Sequence, residues 1–322
     1  LAAKTAEERE VTEGQLWIRA LRAPFLVASI LPFLVGILAA YQAANVFDPL
    51  LFALALVGVI LFHLATNMLN DNFDYRSGND LAVEHQNPFA GGSRVLITGR
   101  VNVNVHLAVA LTIFVAGISV GLLIFFLLGG FGTPAGQLLF VIGVIGAVSA
   151  YSYVGPPLKL ANRGVGEFFV GLAFGPLVVG GAYLVQAGTV TLGAVFLSLA
   201  MGLLVAAILW INEFPDLPAD VSVGKRTLMA RIGPERAINV YIGLVAAAFL
   251  MPVLASLLRL IPPTTVLTLL AVPLAMRAAR GLRANYQDPH ALIPANAGTI
   301  GLTVVFALLL LLGLGLGIWI RV

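Results

Sequence analysis

The sequence predicts an all-α, polytopic membrane protein of nine spanning helices. Three observations carry this. Of its 322 residues, 60% are hydrophobic and 10% charged, whereas soluble chains carry about 25% charged residues. Several apolar runs reach the roughly 20 residues needed to cross a bilayer. The basic residues also concentrate in alternate connections between those runs. The absence of cysteine excludes disulfides and thiolate metal sites.

In chain order, residues 1–15, with Glu7, Glu8, Arg9, Glu10 and Glu13, are too polar for a signal peptide and read as a cytoplasmic lead-in. Spans are then expected at roughly 17–43, 49–74, 104–129, 135–153, 165–187, 190–213, 235–260, 264–282 and 293–320. Pro24, Pro32, Pro176, Pro252 and Pro273 do not veto them, because neighbouring helices can re-satisfy freed backbone groups in a bilayer. With the N-terminus inside, 16 of the 18 basic residues fall on the cytoplasmic side, leaving Arg259 and Arg321 opposite. The positive-inside rule therefore orients the chain N-in, C-out.

Two polar stretches interrupt the apolar pattern where a span should simply end. NMLNDNFDYRSGND runs from Asn67 to Asp80, and NEFPDLPADVSVGKRTL from Asn212 to Leu228. In each, an Asn stands four residues before an Asp (Asn67 and Asp71, Asn212 and Asp216), and the two copies are 145 residues apart. A four-helix offset gives both carrier helices the same direction. The chain is thus expected to be one domain over 1–322, with parallel repeats over roughly 17–153 and 165–282 and a ninth helix appended.

On a helix, Asn67, Asp71 and Asp74 share one face. Asn212, Asp216 and Asp220 would cluster too, although Pro215 and Pro218 predict that the helix ends or unwinds there. Carboxylates beside a membrane interior are costly unless compensated. One such cluster could simply mark the interface, but two with matching spacing point to a site. Converging carboxylates without thiolates or a spaced His pair suit Mg²⁺, which completes its shell with water and phosphate oxygens. Arg76, Arg94, Lys225 and Arg226 lie beside the acids, so the combination describes a diphosphate site. Each basic residue alone is also explained by topology. A diphosphate at the mouth of an apolar bundle implies a lipid-like substrate. Tyr151, Tyr153, Phe168, Phe169 and Trp210 are candidates to face an allylic cation, with a packing or interface role the alternative for each.

These stretches resemble the paired Asp-rich motifs of the UbiA superfamily of intramembrane prenyltransferases. NDNFDYRSGND is similar to the first motif of its menaquinone branch, and DLPADVSVGKRTL to the second. RAPFLVASILPFLVG resembles the family's opening pattern, and YSYVGPPLKLANRGVGEFFVGLAFGPLVVGG the segment joining helices 4 and 5. The loop VEHQNPFAGGSRVLITGR departs from well-known members of that branch.

The resemblance implies a UbiA-type bundle around a central cavity, two Mg²⁺ ions bridging a diphosphate, and transfer of a polyprenyl group to an aromatic ring. It assigns metal binding to Asn67, Asp71, Asp74, Asn212, Asp216 and Asp220, with the four aspartates catalytic. Lys159 joins Arg76, Arg94, Lys225 and Arg226 as a diphosphate-binding residue. Arg22, His63 and Tyr151 are candidates for the acceptor side, and Glu167 or Glu213 for a base. The expected acceptor is 1,4-dihydroxy-2-naphthoate, in menaquinone biosynthesis. Alternatives within the superfamily are 4-hydroxybenzoate, homogentisate or an archaeal glycerol-phosphate lipid. The expected location is a prokaryotic cytoplasmic membrane, with the active-site mouth on the cytoplasmic side and no nucleic-acid partner. Two rivals lie outside this chemistry. A secondary transporter would place ionisable groups near mid-membrane, and a binding scaffold gives no reason for duplicated ligand-type residues.

Overall fold

The computed structural model describes residues 12–83, 87–89 and 92–320. Among them, nine helical segments are long and apolar enough to cross a membrane. The chain is an all-helical integral membrane protein.

The first span begins earlier than the polar lead-in predicts. Thr12 and Gln15 form a reciprocal capping box that starts α1 (Glu13–Ala20); residues 1–11 of the lead-in lie outside the described residues. The span then breaks. Arg22 takes a left-handed conformation (φ 51°) before a short 3₁₀ turn, and α2 (Val27–Ala44) completes the crossing. Asp48 caps α3 (Pro49–Ser77) by accepting from Leu50 N and Leu51 N. This helix runs beyond the expected end at 74, carries the first motif, and stops at Gly78 (φ 82°). α4 (Asn79–Ala82) follows, and α5 (Val103–Leu127) and α6 (Pro134–Ser152) start at the caps Asn102 and Thr133.

The fifth span is α7 (Gly166–Leu172), a π-helical stretch over Ala173–Gly180 and α8 (Gly181–Ala187). Pro176 sits inside the π-helical stretch, where its missing N–H disturbs the α-helical ladder. Gly175 is forced by close approach. A Cβ there would lie 2.3 Å from Ser198 O and 2.8 Å from Gly202 Cα. Gly175 and Gly202 therefore let this span pack against α9 (Leu192–Ser222).

The prediction that α9 ends near Pro215 is corrected: it continues through Pro215 and Pro218 to Ser222. Pro215 cannot donate to the carbonyl of Ile211. Asn296 Nδ2 donates to that carbonyl instead, at 3.1 Å. α10 (Leu228–Ile232), α11 (Pro234–Leu257), α12 (Val272–Asn285) and α13 (Ile293–Trp319) complete the chain. A 3₁₀ stretch over Pro263–Ala271 leads into α12 and starts the eighth span. The largest apolar core joins α2, α9, α11, α12 and α13 around Trp210, Tyr241 and Phe306. The spans α3, α5 and α6 bury a smaller share of their residues, and the cavity borders them.

Candidate active site

A cavity of about 450 Å³ is lined by α2, α3, α5, α6, the fifth span and α9. On α3 its lining runs from Ala55 to Asp74, about 28 Å of helix at ~1.5 Å per residue. That is close to the ~30 Å hydrocarbon thickness of a bilayer. One end is polar: Arg22, Asn67, Asn70, Asp74, Asn79, Asp80, Asn212, Glu213, Asp216, Asp220 and Lys225 border it. The remainder is apolar, with Phe33, Ile124, Leu139, Leu177 and Val185 in its wall.

The two motifs meet at this polar end through Lys225. Its Nζ lies 2.9 Å from Asp74 Oδ1, on α3, and 3.3 Å from Asp220 Oδ1, on α9. The turn that returns Lys225 over the helix end uses Gly224 (φ 79°), and Lys225 N donates to Asp220 O at 2.9 Å. Burial alone would lower the ammonium's pKa, but the Asp74 and Asp220 carboxylates more than offset it and hold the pKa above its ordinary value. The pKa of Asp80 also rises, which for a carboxyl disfavours the charged form. Burial first, then the charges of Asp74 and Asp71, push it up to about 8.

Asp71 departs from the expected grouping. Its carboxylate is 2% exposed and does not border the cavity. Arg22 Nη1 donates to its Oδ1 at 3.4 Å, and Ser93 N donates to both oxygens, at 3.3 and 3.2 Å. The loop can come this close because residue 92 is glycine (φ 68°); a Cβ there would lie 2.9 Å from Asp71 Oδ1. Arg22, which borders the cavity, is thus Asp71's partner, and its guanidinium also sits 4.8 Å from the Phe25 ring.

Asn67 and Asp74 of the first motif border the cavity together with Asn212, Asp216 and Asp220 of the second. Of the expected diphosphate-binding residues, only Lys225 does. Arg76 is exposed, donating to Asn72 Oδ1 at 2.9 Å and to Asn104 Oδ1 at 2.7 Å. Arg94 Nη1 donates to Val83 O at 3.5 Å. Lys159 and Arg226 are exposed on neighbouring loops, with Arg226 N donating to Asn162 O at 3.2 Å.

His63 borders the cavity, its Nδ1 in a short hydrogen bond with Ser29 Oγ. Tyr151 does not; its ring meets Phe73 edge-on. Among the cation-facing aromatics, Tyr153 and Phe169 border the cavity. Phe168 is 67% exposed, and Trp210 is core, its Nε1 donating to Ala237 O at 2.8 Å. Glu213 borders the cavity, and Glu167 Oε1 accepts from Leu228 N at 3.2 Å.

Sequence reasoning missed Asn296. It is fully buried on α13, and its Nδ2 donates to Asn212 Oδ1 at 2.8 Å as well as to Ile211 O. Its Oδ1 accepts from Asn87 Nδ2 at 3.3 Å. The available signal was a lone Asn within an apolar span, which needs a partner.

The donor chemistry fits a hard divalent cation: among the described residues, the polar end offers mainly carboxylate and amide oxygens. Among the described residues no three His, Cys, Asp or Glu side chains are gathered tightly enough to hold an ion by themselves. The set is split between two helices and spanned by an ammonium, so amide, water and substrate oxygens would complete the shell.

Residues 29–296 match the model of the UbiA prenyltransferase family. The chain belongs to that family. It is a prenyltransferase, as the named UbiA relatives are. It is 28% identical to the 1,4-dihydroxy-2-naphthoate octaprenyltransferase of Bacillus subtilis, over 96% of this chain and 95% of that one. It is 30% identical to the enzyme of the same name from Mycobacterium tuberculosis, covering 91% and 94%. A UbiA homologue from Archaeoglobus fulgidus, solved bound to DMAPP and Mg²⁺, shares the fold with a TM-score of 0.62 and 15% identity, covering 91% and 98%.

Proposed function

We propose that this UbiA-family enzyme transfers a polyprenyl group from its diphosphate to 1,4-dihydroxy-2-naphthoate, with Mg²⁺, at the cytoplasmic face of a membrane. The observation that carries the reading is one cavity with two characters. Carboxylates from two separate motifs and one buried lysine ring its mouth, and an apolar channel about as deep as a bilayer leads away. Such a space matches a molecule with a polyanionic head and a long hydrocarbon chain. The names of the bacterial relatives support the acceptor, and the Archaeoglobus homologue's ligands support the metal and the donor class.

In this reading, oxygens of Asn67, Asp74, Asn212, Asp216 and Asp220 hold the metal. Mg²⁺, when bound, supplies positive charge to the departing diphosphate. Lys225 adds a cation on the same side. Asp71, fixed by Arg22 and Ser93, holds the loop after α4 against the first motif. The apolar wall keeps water from the allylic cation, while Tyr153, Phe169 and Phe174 present ring faces or edges to the space. Attack by the carboxylated ring carbon, with loss of CO₂, gives a prenylated naphthoquinol.

The charge pattern supports a mouth that faces the cytoplasm. The matched Asn-to-Asp spacing supports a parallel four-helix duplication. The test is to give the lipid-reconstituted protein a labelled polyprenyl diphosphate, with and without Mg²⁺, and to supply dihydroxynaphthoate and 4-hydroxybenzoate in parallel. A Mg²⁺-dependent naphthoquinol is the expected product. Product from 4-hydroxybenzoate alone would move the acceptor, and no diphosphate release from any donor would overturn the reaction.

A further inference from the structure

Lys225 occupies an unusual place for a substrate-binding lysine. Its ammonium is already engaged by both motifs, 2.9 Å from Asp74 Oδ1 and 3.3 Å from Asp220 Oδ1, and the side chain is only 9% exposed. Asp74 and Asp220 are themselves among the oxygens best placed to hold a divalent cation. A metal ion approaching those carboxylates alone would meet a positive charge lying between them. At such separations in a partly buried site, that repulsion is substantial. The lysine cannot simply withdraw either, because leaving a buried ammonium unpaired is costly. A diphosphate arriving with the metal removes both obstacles, since it gives the ammonium a new anionic partner as the metal takes over the carboxylates.

We propose that Lys225 is an exchangeable internal counter-ion. In the metal-free protein it neutralises Asp74 and Asp220, and it passes to the diphosphate when metal and diphosphate enter, which makes the two ligands bind interdependently. This rests on the reading of the cavity mouth as a metal–diphosphate site. A lysine suits the task better than an arginine. It is a compact charge on a flexible four-carbon stem with rotatable donors, whereas guanidinium favours a fixed planar pairing. Arg22, the other basic residue that borders the mouth among the described residues, is committed to Asp71, which does not border the cavity. By linkage, the factor by which diphosphate tightens metal binding equals that by which metal tightens diphosphate binding.

The test measures Mn²⁺ binding by electron paramagnetic resonance on the full chain in detergent, at buffered free Mn²⁺, with and without inorganic pyrophosphate. In the wild-type protein, pyrophosphate should tighten Mn²⁺ binding by about tenfold or more, within the usual range for coupled sites. Lys225→Met should bind Mn²⁺ more tightly than wild type when pyrophosphate is absent, and should gain less than about threefold from adding it. Lys225→Gln, which keeps much of the stem and its hydrogen-bonding capacity, should behave likewise and serves if the methionine variant fails to fold. Full coupling retained in the variants would overturn the proposal and leave Lys225 a fixed structural ion pair. Weaker Mn²⁺ binding by the variants without pyrophosphate would also overturn it, because the lysine would then be supporting the metal rather than competing with it. If wild-type protein bound neither Mn²⁺ nor pyrophosphate, the metal–diphosphate reading would fail as well.

Discussion

Arg22 Nη1 lies 3.4 Å from Asp71 Oδ1, joining the break in the first span to the middle of the first Asp-rich motif. The left-handed backbone at Arg22 ends α1 and puts the guanidinium at the cavity mouth. Asp71 is thereby stabilised as a buried carboxylate by one cation and by the Ser93 N–H.

Removing the guanidinium leaves that carboxylate without its cation, held only by Ser93 through its backbone N–H and its side chain. Arg22→Gln should destabilise the protein by about 1–3 kcal/mol, the usual cost of an under-satisfied buried polar group. Asp71→Asn in the same chain should recover part of the loss. A double-mutant cycle on unfolding in detergent checks this, and strict additivity would show that the two residues do not interact.

Asp74 and Asp216 border the cavity from opposite motifs. Asp74→Asn and Asp216→Asn should each slow diphosphate release by about a hundredfold or more, because a metal's contribution of several kcal/mol depends on them. Single-turnover release from a labelled donor measures the effect. Asp74→Asn should also lower the unfolding temperature in the absence of metal, because it removes one of the two carboxylates that pair with the buried Lys225 ammonium.

The apolar channel offers a probe of donor length. Gly121 on α5 and Gly143 on α6 both border it, and a Cβ added at either meets nothing within 4 Å. Gly143→Leu should therefore fold normally and fill channel space. Activity with a five- or ten-carbon allylic diphosphate should persist, while activity with long polyprenyl donors should fall by about tenfold or more, equivalent to roughly 1.4 kcal/mol. Equal effects on short and long donors would place the chain elsewhere.

Arg76 separates two readings of the first motif. Its guanidinium ties Asn72 to Asn104, joining α3 to α5 on the exposed side. Arg76→Gln should leave the KM for donor within about twofold, while lowering stability by about 0.5–1.5 kcal/mol. A large rise in donor KM would return this residue to the diphosphate site.

Much of this protein was legible in the sequence, because the signals concerned are local. Apolar run length predicted the nine spans found among the described residues, and two Asn-to-Asp stretches at span ends marked the candidate site. The misplaced helix end has a physical cause. Pro215 and Pro218 predict a helix end when only their own segment is considered. Asn296, 85 positions from Ile211, supplies the donor for the carbonyl that Pro215 leaves unbonded. Asp71 and Asp74 do share one helix, but their partners, Arg22 with a glycine turn for one and Lys225 for the other, come from elsewhere in the chain.

The sequence by itself determined the membrane class, the positions of the spans and the residue types at the site, since hydropathy, charge and short-range spacing are properties of neighbouring residues. Only the tertiary structure decided which carboxylates share a cation, which basic side chains reach the cavity, and how an apolar channel continues from the polar mouth. Those depend on contacts across α3, α9 and α13, where burial makes an unpaired charge or carbonyl costly enough to select its partner from a distant part of the chain.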